Sequence, residues 1–165
     1  MLDNQSEKQA KGGEMTKALV LYHSQEFGNT AEMAQAIADG LREGGCAVDL
    51  FNTNDGRFDV TGFPQYDCVA FGSPDYYSYI AGGLKMFMDD HYICDVHKKL
   101  KGLRDKPFVL FYSHGGGGNV KDIMPRIFGR IGTLIGEPVG SMGRPDQNVL
   151  ERCRALGKEL ARAGF

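Results

Sequence analysis

From Lys17 onward the sequence alternates short unbroken apolar runs with stretches whose apolar residues recur every three or four positions. An unbroken run fits a strand covered on both faces, and the second pattern fits a helix with one buried stripe. Strict alternation of the two requires right-handed crossovers, hence a parallel sheet with helices on both faces. ALVLY (18–22), AVDLF (47–51), YDCVAFG (66–72) and FVLFYS (108–113) are the expected strands, with a weaker fifth at PVGSM (138–142). Met33, Ile37 and Leu41, with Ala34 and Ala38, form the stripe of the first helix, which Gly44-Gly45 ends. A connection over 54–65 with one helical turn leads to the third strand. A helix over 81–92 presents Leu84, Phe87, Met88 and His91. The next carries Ile123, Ile127, Ile131 and Leu134, with Pro125 expected in its first turn. The last starts at Pro145 and Asp146 and is lined by Val149, Cys153, Leu156 and Leu160.

A chain of 165 residues with 42% hydrophobic content suffices for one domain with a buried core. Residues 1–14 hold few apolar side chains and read as a flexible tail, leaving 15–165 as the domain. With 19 basic and 21 acidic residues and no basic block, nothing points to nucleic acid. The longest apolar runs fall far short of the roughly 20 residues that span a bilayer, and no apolar signal segment opens the chain. A cytoplasmic address without membrane attachment is expected. The cysteines at 46, 68, 94 and 153 show neither C-x-x-C nor ligand spacing and read as reduced thiols. No metal site is expected, because the adjacent acids of Asp89-Asp90-His91 point to different sides of a helix. His23 and His91 read as structural histidines. The group Lys98, Lys99, Lys101 and Arg104 reads as a solvated face or as a docking patch for an acidic partner.

A parallel sheet of this kind binds its ligand beyond the carboxyl ends of its strands, where the strand order reverses. Three loops there carry the candidate chemistry. Ser24, Gln25, Glu26, Phe27, Gly28, Asn29 and Thr30 join the first strand to its helix, offering backbone N–H groups and hydroxyls to a phosphate. The turn lacks a Walker lysine and is not G-x-G-x-x-G. Its other reading is a polar cap that only starts a helix, and Glu26 is the odd residue for an anion site. Pro74, Asp75, Tyr76 and Tyr77 open a tyrosine-rich loop after the third strand, where an aromatic face can stack on a flat heterocycle or simply pack. Ser113, His114, Gly115, Gly116 and Gly117 follow the fourth strand. Successive glycines mark a backbone lying against something, or a flexible linker.

Taken together, HSQEFGNT, GSPDYYSYIAGGLKMFMDD and YSHGGGGN resemble the phosphate, ring-stacking and pyrimidine-edge loops of the flavodoxin superfamily. The GSPDYYSYIAG segment followed by KMFMD is most similar to the branch of tryptophan-repressor-binding-protein-like NAD(P)H:quinone oxidoreductases. The resemblance covers about 17–164 and implies a flavodoxin-like three-layer α/β sandwich with a five-stranded parallel sheet in the order 2-1-3-4-5. It implies FMN as cofactor, with Ser24 to Thr30 on the phosphate, Pro74 to Tyr77 on the isoalloxazine and Ser113 to Gly117 on its pyrimidine side. His114, inside the ring loop, is the candidate catalytic donor. Those quinone reductases carry an insertion after the fourth strand that is missing here, and no inserted segment interrupts the fifth strand.

Two functional classes follow. One is an enzyme reducing quinone-like acceptors with NAD(P)H, and the other a flavodoxin-type one-electron carrier docking a redox partner protein. A non-redox regulatory module that has lost the flavin is a third reading. A homodimer is the candidate assembly.

Overall fold

The computed structural model describes residues 15–165, and the tail expected over 1–14 lies outside the described residues. The strands are β1 (Lys17–Tyr22), β2 (Ala47–Asn52), β3 (Cys68–Pro74), β4 (Lys106–His114), β5 (Gly132–Leu134) and β6 (Val139–Met142). The helices are α1 (Asn29–Glu43), α2 (Gly82–Tyr92), α3 (Val120–Phe128) and α4 (Gln147–Ala163). Short 3₁₀ turns occupy Val60–Gln65 and Gly129–Ile131, and α2 runs into one π turn over Ile93–His97. All strand pairs are parallel, in the order β2-β1-β3-β4-β5, with β6 also paired to β4.

Alternation along the strands divides the core into two layers, because successive side chains leave a strand on opposite faces. Leu19, Leu21, Val69, Phe71, Phe108 and Leu110 pack with Leu84 and Phe87 of α2 and with Met124 and Phe128 of α3. Ala18, Val20, Cys68, Ala70, Val109 and Phe111 pack with Met33, Ile37 and Leu41 of α1 and with Cys153 and Leu160 of α4. On that second face α1 and α4 meet backbone to backbone. A Cβ on Gly40 would lie 2.0 Å from the Arg154 carbonyl oxygen, and one on Gly157 would lie 2.3 Å from that of Ile37. Glycine at both positions is what lets the helices close over the small residues of the sheet.

Two expectations need correction. The helix after β4 ends at Phe128, so Ile131 falls in a 3₁₀ turn and Leu134 in β5, and Pro125 sits in the second turn, not the first. Its buried stripe is Val120, Met124 and Phe128, with Ile123 and Ile127 flanking it half-buried. The fifth strand position is also divided. Residues 111–113 of β4 pair with β3 on one side, so β6, bonded to 111–114, must lie on the other side, in line with β5. No helix among the described residues is long and apolar enough to cross a membrane.

Candidate functional site

The parallel arrangement delivers the ends of β1, β3, β4 and β6 to one edge of the sheet. There Ser24 to Thr30, Pro74 to Tyr76, Ser113 to Gly115 and Gly143 line a single cavity of about 240 Å³. Three loops far apart in sequence thus meet as expected. Tyr77, Gly116 and Gly117 are not among the lining residues, and Gly143, which follows β6, is an addition.

In the loop after β1, Gly28 is the N-cap of α1, in the left-handed region at φ 74°. A side-chain-bearing residue adopts that conformation only at a cost of about 1–2 kcal/mol. No side chain caps the first turn of α1. Its N–H groups are therefore left for a bound anion, which the positive end of the helix dipole also favours. The Thr30 hydroxyl lies 2.8 Å from that of Ser113, tying this turn to the end of β4 in a buried contact.

The turn is also held from β2 by residues that sequence reading missed. Asn52 accepts from the Ser24 N–H at 3.0 Å through Oδ1 and donates to the Ser24 carbonyl at 2.9 Å through Nδ2. His23, buried, is satisfied at both ring nitrogens. Nε2 donates to the Gln25 side-chain oxygen at 2.7 Å, so Nδ1 accepts from the Thr53 hydroxyl at 2.8 Å. Both supports come from the polar NTND segment at the end of β2, a signal visible in the sequence once β2 is placed beside β1. Glu26 is exposed, with its side chain outside this support network.

In the loop after β3, Tyr76 and Tyr79 exchange two backbone hydrogen bonds of 3.1 Å, closing a two-residue hairpin around Tyr77 and Ser78. Both central residues have positive φ, 53° and 61°, the signature of a type I′ turn. Such turns are normally built from Gly, Asn or Asp, so this one stores about 1 kcal/mol or more at each position. The turn throws Tyr77 into solvent, at full exposure, and leaves Tyr76 against the cavity, 38% exposed. The Tyr76 ring meets His23 edge to face, with centroids 6.0 Å apart. Burial, and then the Glu26 carboxylate, pushes the Tyr76 phenol above its ordinary pKa.

At the end of β4, His114 stacks on Tyr112 with centroids 5.9 Å apart and accepts the Gly116 N–H at Nδ1, 3.1 Å away. Nδ1 is therefore occupied, and Nε2 carries the proton of the neutral ring. The cavity lining thus combines the rings of Phe27, Tyr76 and His114 with the backbone of Gly28, Gly115 and Gly143.

Elsewhere, the helix acids are engaged in ion pairs. Arg57 grips Asp90 with two hydrogen bonds of 2.8 and 2.6 Å, and Lys85 pairs with Asp89. His91, buried, donates from Nε2 to the Leu103 carbonyl at 2.8 Å. Among the described residues no group of three or more His, Cys, Asp or Glu is placed to hold a metal ion. All four cysteines are buried free thiols.

Comparison with known proteins finds that the flavodoxin domain family matches residues 19–116. An NAD(P)H dehydrogenase (quinone) of Archaeoglobus fulgidus is 27% identical over 188 aligned positions, covering 89% of this chain and 96% of the relative. That alignment is longer than the 165 residues here, so the relative carries residues without a counterpart in this chain. A nitric oxide reductase of Moorella thermoacetica is 31% identical over 158 residues, covering 92% of this chain but 37% of that protein. Among solved structures, a flavodoxin from the domain Archaea superposes with a TM-score of 0.76 at 24% identity, covering 90% of this chain and 99% of the other.

Proposed function

This chain belongs to the flavodoxin domain family, and on that premise we propose that it is an FMN-dependent oxidoreductase passing electrons from NAD(P)H to a quinone-like acceptor. The residues at the cavity fit FMN. The uncapped first turn of α1, with the Ser24 and Thr30 hydroxyls, suits its phosphate; Pro74 and Tyr76 suit one side of the ring; Ser113 to Gly115 suit its pyrimidine edge. Flavin held by these residues would supply the redox chemistry, two-electron transfer with its accompanying protons between a nicotinamide and the acceptor.

The chain's own part is to bind and to leave access. The observation that carries the enzyme reading is the mixed lining of the cavity. Phe27, Tyr76 and His114 contribute rings, while Gly115 and Gly143 contribute backbone without a side chain, which favours access for a nicotinamide or a quinone. His114 is part of the cavity lining with Nδ1 occupied by the Gly116 N–H, which leaves Nε2–H as its remaining donor. Support also comes from the relative named for quinone reduction, whose length this chain nearly spans.

A carrier that docks a partner protein is the second reading. It is favoured by Phe27, Tyr77 and Met142, which are 84%, 104% and 71% exposed at or next to the cavity residues. A homodimer and a cytoplasmic site belong to the same proposal, the latter supported by four cysteines that all remain free thiols.

The test is the visible spectrum of the purified protein with and without added FMN, followed by anaerobic NAD(P)H addition and quinone turnover. A flavin spectrum, bleached by NAD(P)H and restored by quinone, is expected. A bound flavin that neither nicotinamide reduces would leave the carrier.

A further inference from the structure

The ring-side hairpin is built from residues that do not favour its conformation, so something else must hold it. Tyr77 and Ser78 both stand at positive φ, and the two hydrogen bonds closing the hairpin lie in exposed backbone. A two-residue hairpin is at best marginal in water. Next to it, the loop from Gly115 to Gly118 brings no side chain of its own, and its Gly116 N–H rests on His114 Nδ1.

One half-buried carboxylate touches both segments. Asp75 Oδ1 accepts from the Ser78 N–H at 2.8 Å, spanning the strained turn. Asp75 Oδ2 accepts from the Val120 N–H at 3.1 Å, on the first residue of α3, where the glycine loop ends. Its own N–H donates to the Ser113 carbonyl at 2.8 Å, at the point where that loop begins. A second tie runs parallel, from Asn119 Nδ2 to the Ser78 hydroxyl at 3.1 Å. Negative charge is favoured at the amino end of α3, and hydrogen bonds to a carboxylate are about twice as strong as neutral ones.

We propose that Asp75 is a positioning residue that builds the ring side of the site before any flavin arrives, locking the tyrosine hairpin and the glycine loop to each other. This role rests on the FMN reading above for its consequence, though not for its geometry. Tyr76 owes its place on the cavity wall to the carboxylate. Losing Asp75 releases both ring loops together and leaves the phosphate turn, which is held by Asn52 and His23, intact.

The test compares wild type, Asp75→Asn and Asp75→Ala, without flavin and then with it. Chymotrypsin is added to the flavin-free proteins under native conditions, and cleavage after Tyr76, Tyr77 or Tyr79 is timed. Asp75→Ala is expected to be cut at least tenfold faster than wild type. Asp75→Asn should fall between them, since its one carbonyl oxygen can serve Ser78 or Val120 but not both. Titration should show FMN and riboflavin weakened by the same factor, about tenfold, in the same order, because the ring site and not the phosphate turn is loosened. A simple stability defect would lower the melting temperature without that equal loss.

Equal cleavage rates in all three proteins overturn the proposal. So does a loss confined to FMN, which would move Asp75 to the phosphate. A wild type that binds neither flavin would overturn the functional reading, while the cleavage series would still decide the clamp.

Discussion

Alanine at position 52 removes the contacts through which β2 supports the phosphate turn. The Asn52 amide makes three hydrogen bonds, to the Ser24 N–H at 3.0 Å, the Ser24 carbonyl at 2.9 Å and the Asn54 N–H at 3.0 Å. The two to Ser24 are partly buried, and the third is exposed enough for water to replace it. At roughly 0.5–1.5 kcal/mol net each, with Ser24 left short of partners on both sides of its peptide, the loss should be about 2 kcal/mol. For a chain of this size that lowers the melting temperature by roughly 4–8 °C. The Ser24 peptide opens the turn proposed to hold the FMN phosphate, so FMN affinity should fall roughly tenfold, equivalent to about 1.4 kcal/mol. Riboflavin, lacking the phosphate, should lose much less. Thermal unfolding of the flavin-free protein and fluorescence titration with both flavins measure the two effects separately. An Asn52→Ala protein that is destabilised as expected but binds FMN like wild type would show that Asn52 serves the fold alone.

Thr30→Ala should weaken FMN while leaving riboflavin nearly unchanged; equal losses for the two in a titration would remove this turn from the phosphate. Burial pushes the Cys68 and Cys153 thiols up to about 12, and all four cysteines are buried, so a disulfide reagent should label none in the native protein at neutral pH and four after denaturation. Rapid native labelling would contradict that packing. The Arg57 guanidinium holds the Asp90 carboxyl below its ordinary value of 3.8. The stabilisation is therefore present above that value and lost as pH falls through the lowered one. Asp90→Asn should flatten the acid limb of a stability curve, and an unchanged limb would count against the pair.

Where apolar spacing was tied to a cap, the sequence was readable. The α1 stripe Met33, Ile37 and Leu41 is wholly buried, and Asp146 caps α4 by accepting the Val149 N–H at 2.8 Å. The convergence of the three loops followed from the parallel order, which sends the ends of β1, β3 and β4 to one edge. The helix after β4 misled because two rows spaced by four, Val120-Met124-Phe128 and Ile123-Ile127-Ile131, lie side by side on a helix surface. Only packing on the sheet selects the first, and Gly129 and Gly132 break the second. Tyr77 left the cavity because its hairpin uses a type I′ turn without the Gly or Asn that would announce one. Asn52 and Thr53 act through Ser24 and His23, and their polar segment at the end of β2 gains meaning only once β2 is placed beside β1.

The division of the outermost strand bears on how this protein meets others of its kind. Between the paired positions Phe108–Leu134 and Phe111–Val139, two residues of β4 face four of its neighbour. The extra length bulges out at Ile135-Gly136-Glu137-Pro138, with Gly136 and Glu137 exposed and Gly136 at φ 63°. Pro138 has no N–H to offer an incoming strand. A sheet edge cut into pieces of three and four residues, with a charge and a proline between them, is a poor template for a further strand. Crowded copies of the folded chain should therefore resist growing sheet on sheet from that side, and deleting Gly136 and Glu137 together with Pro138→Val would remove the bulge, the charge and the proline and leave an edge more prone to strand addition.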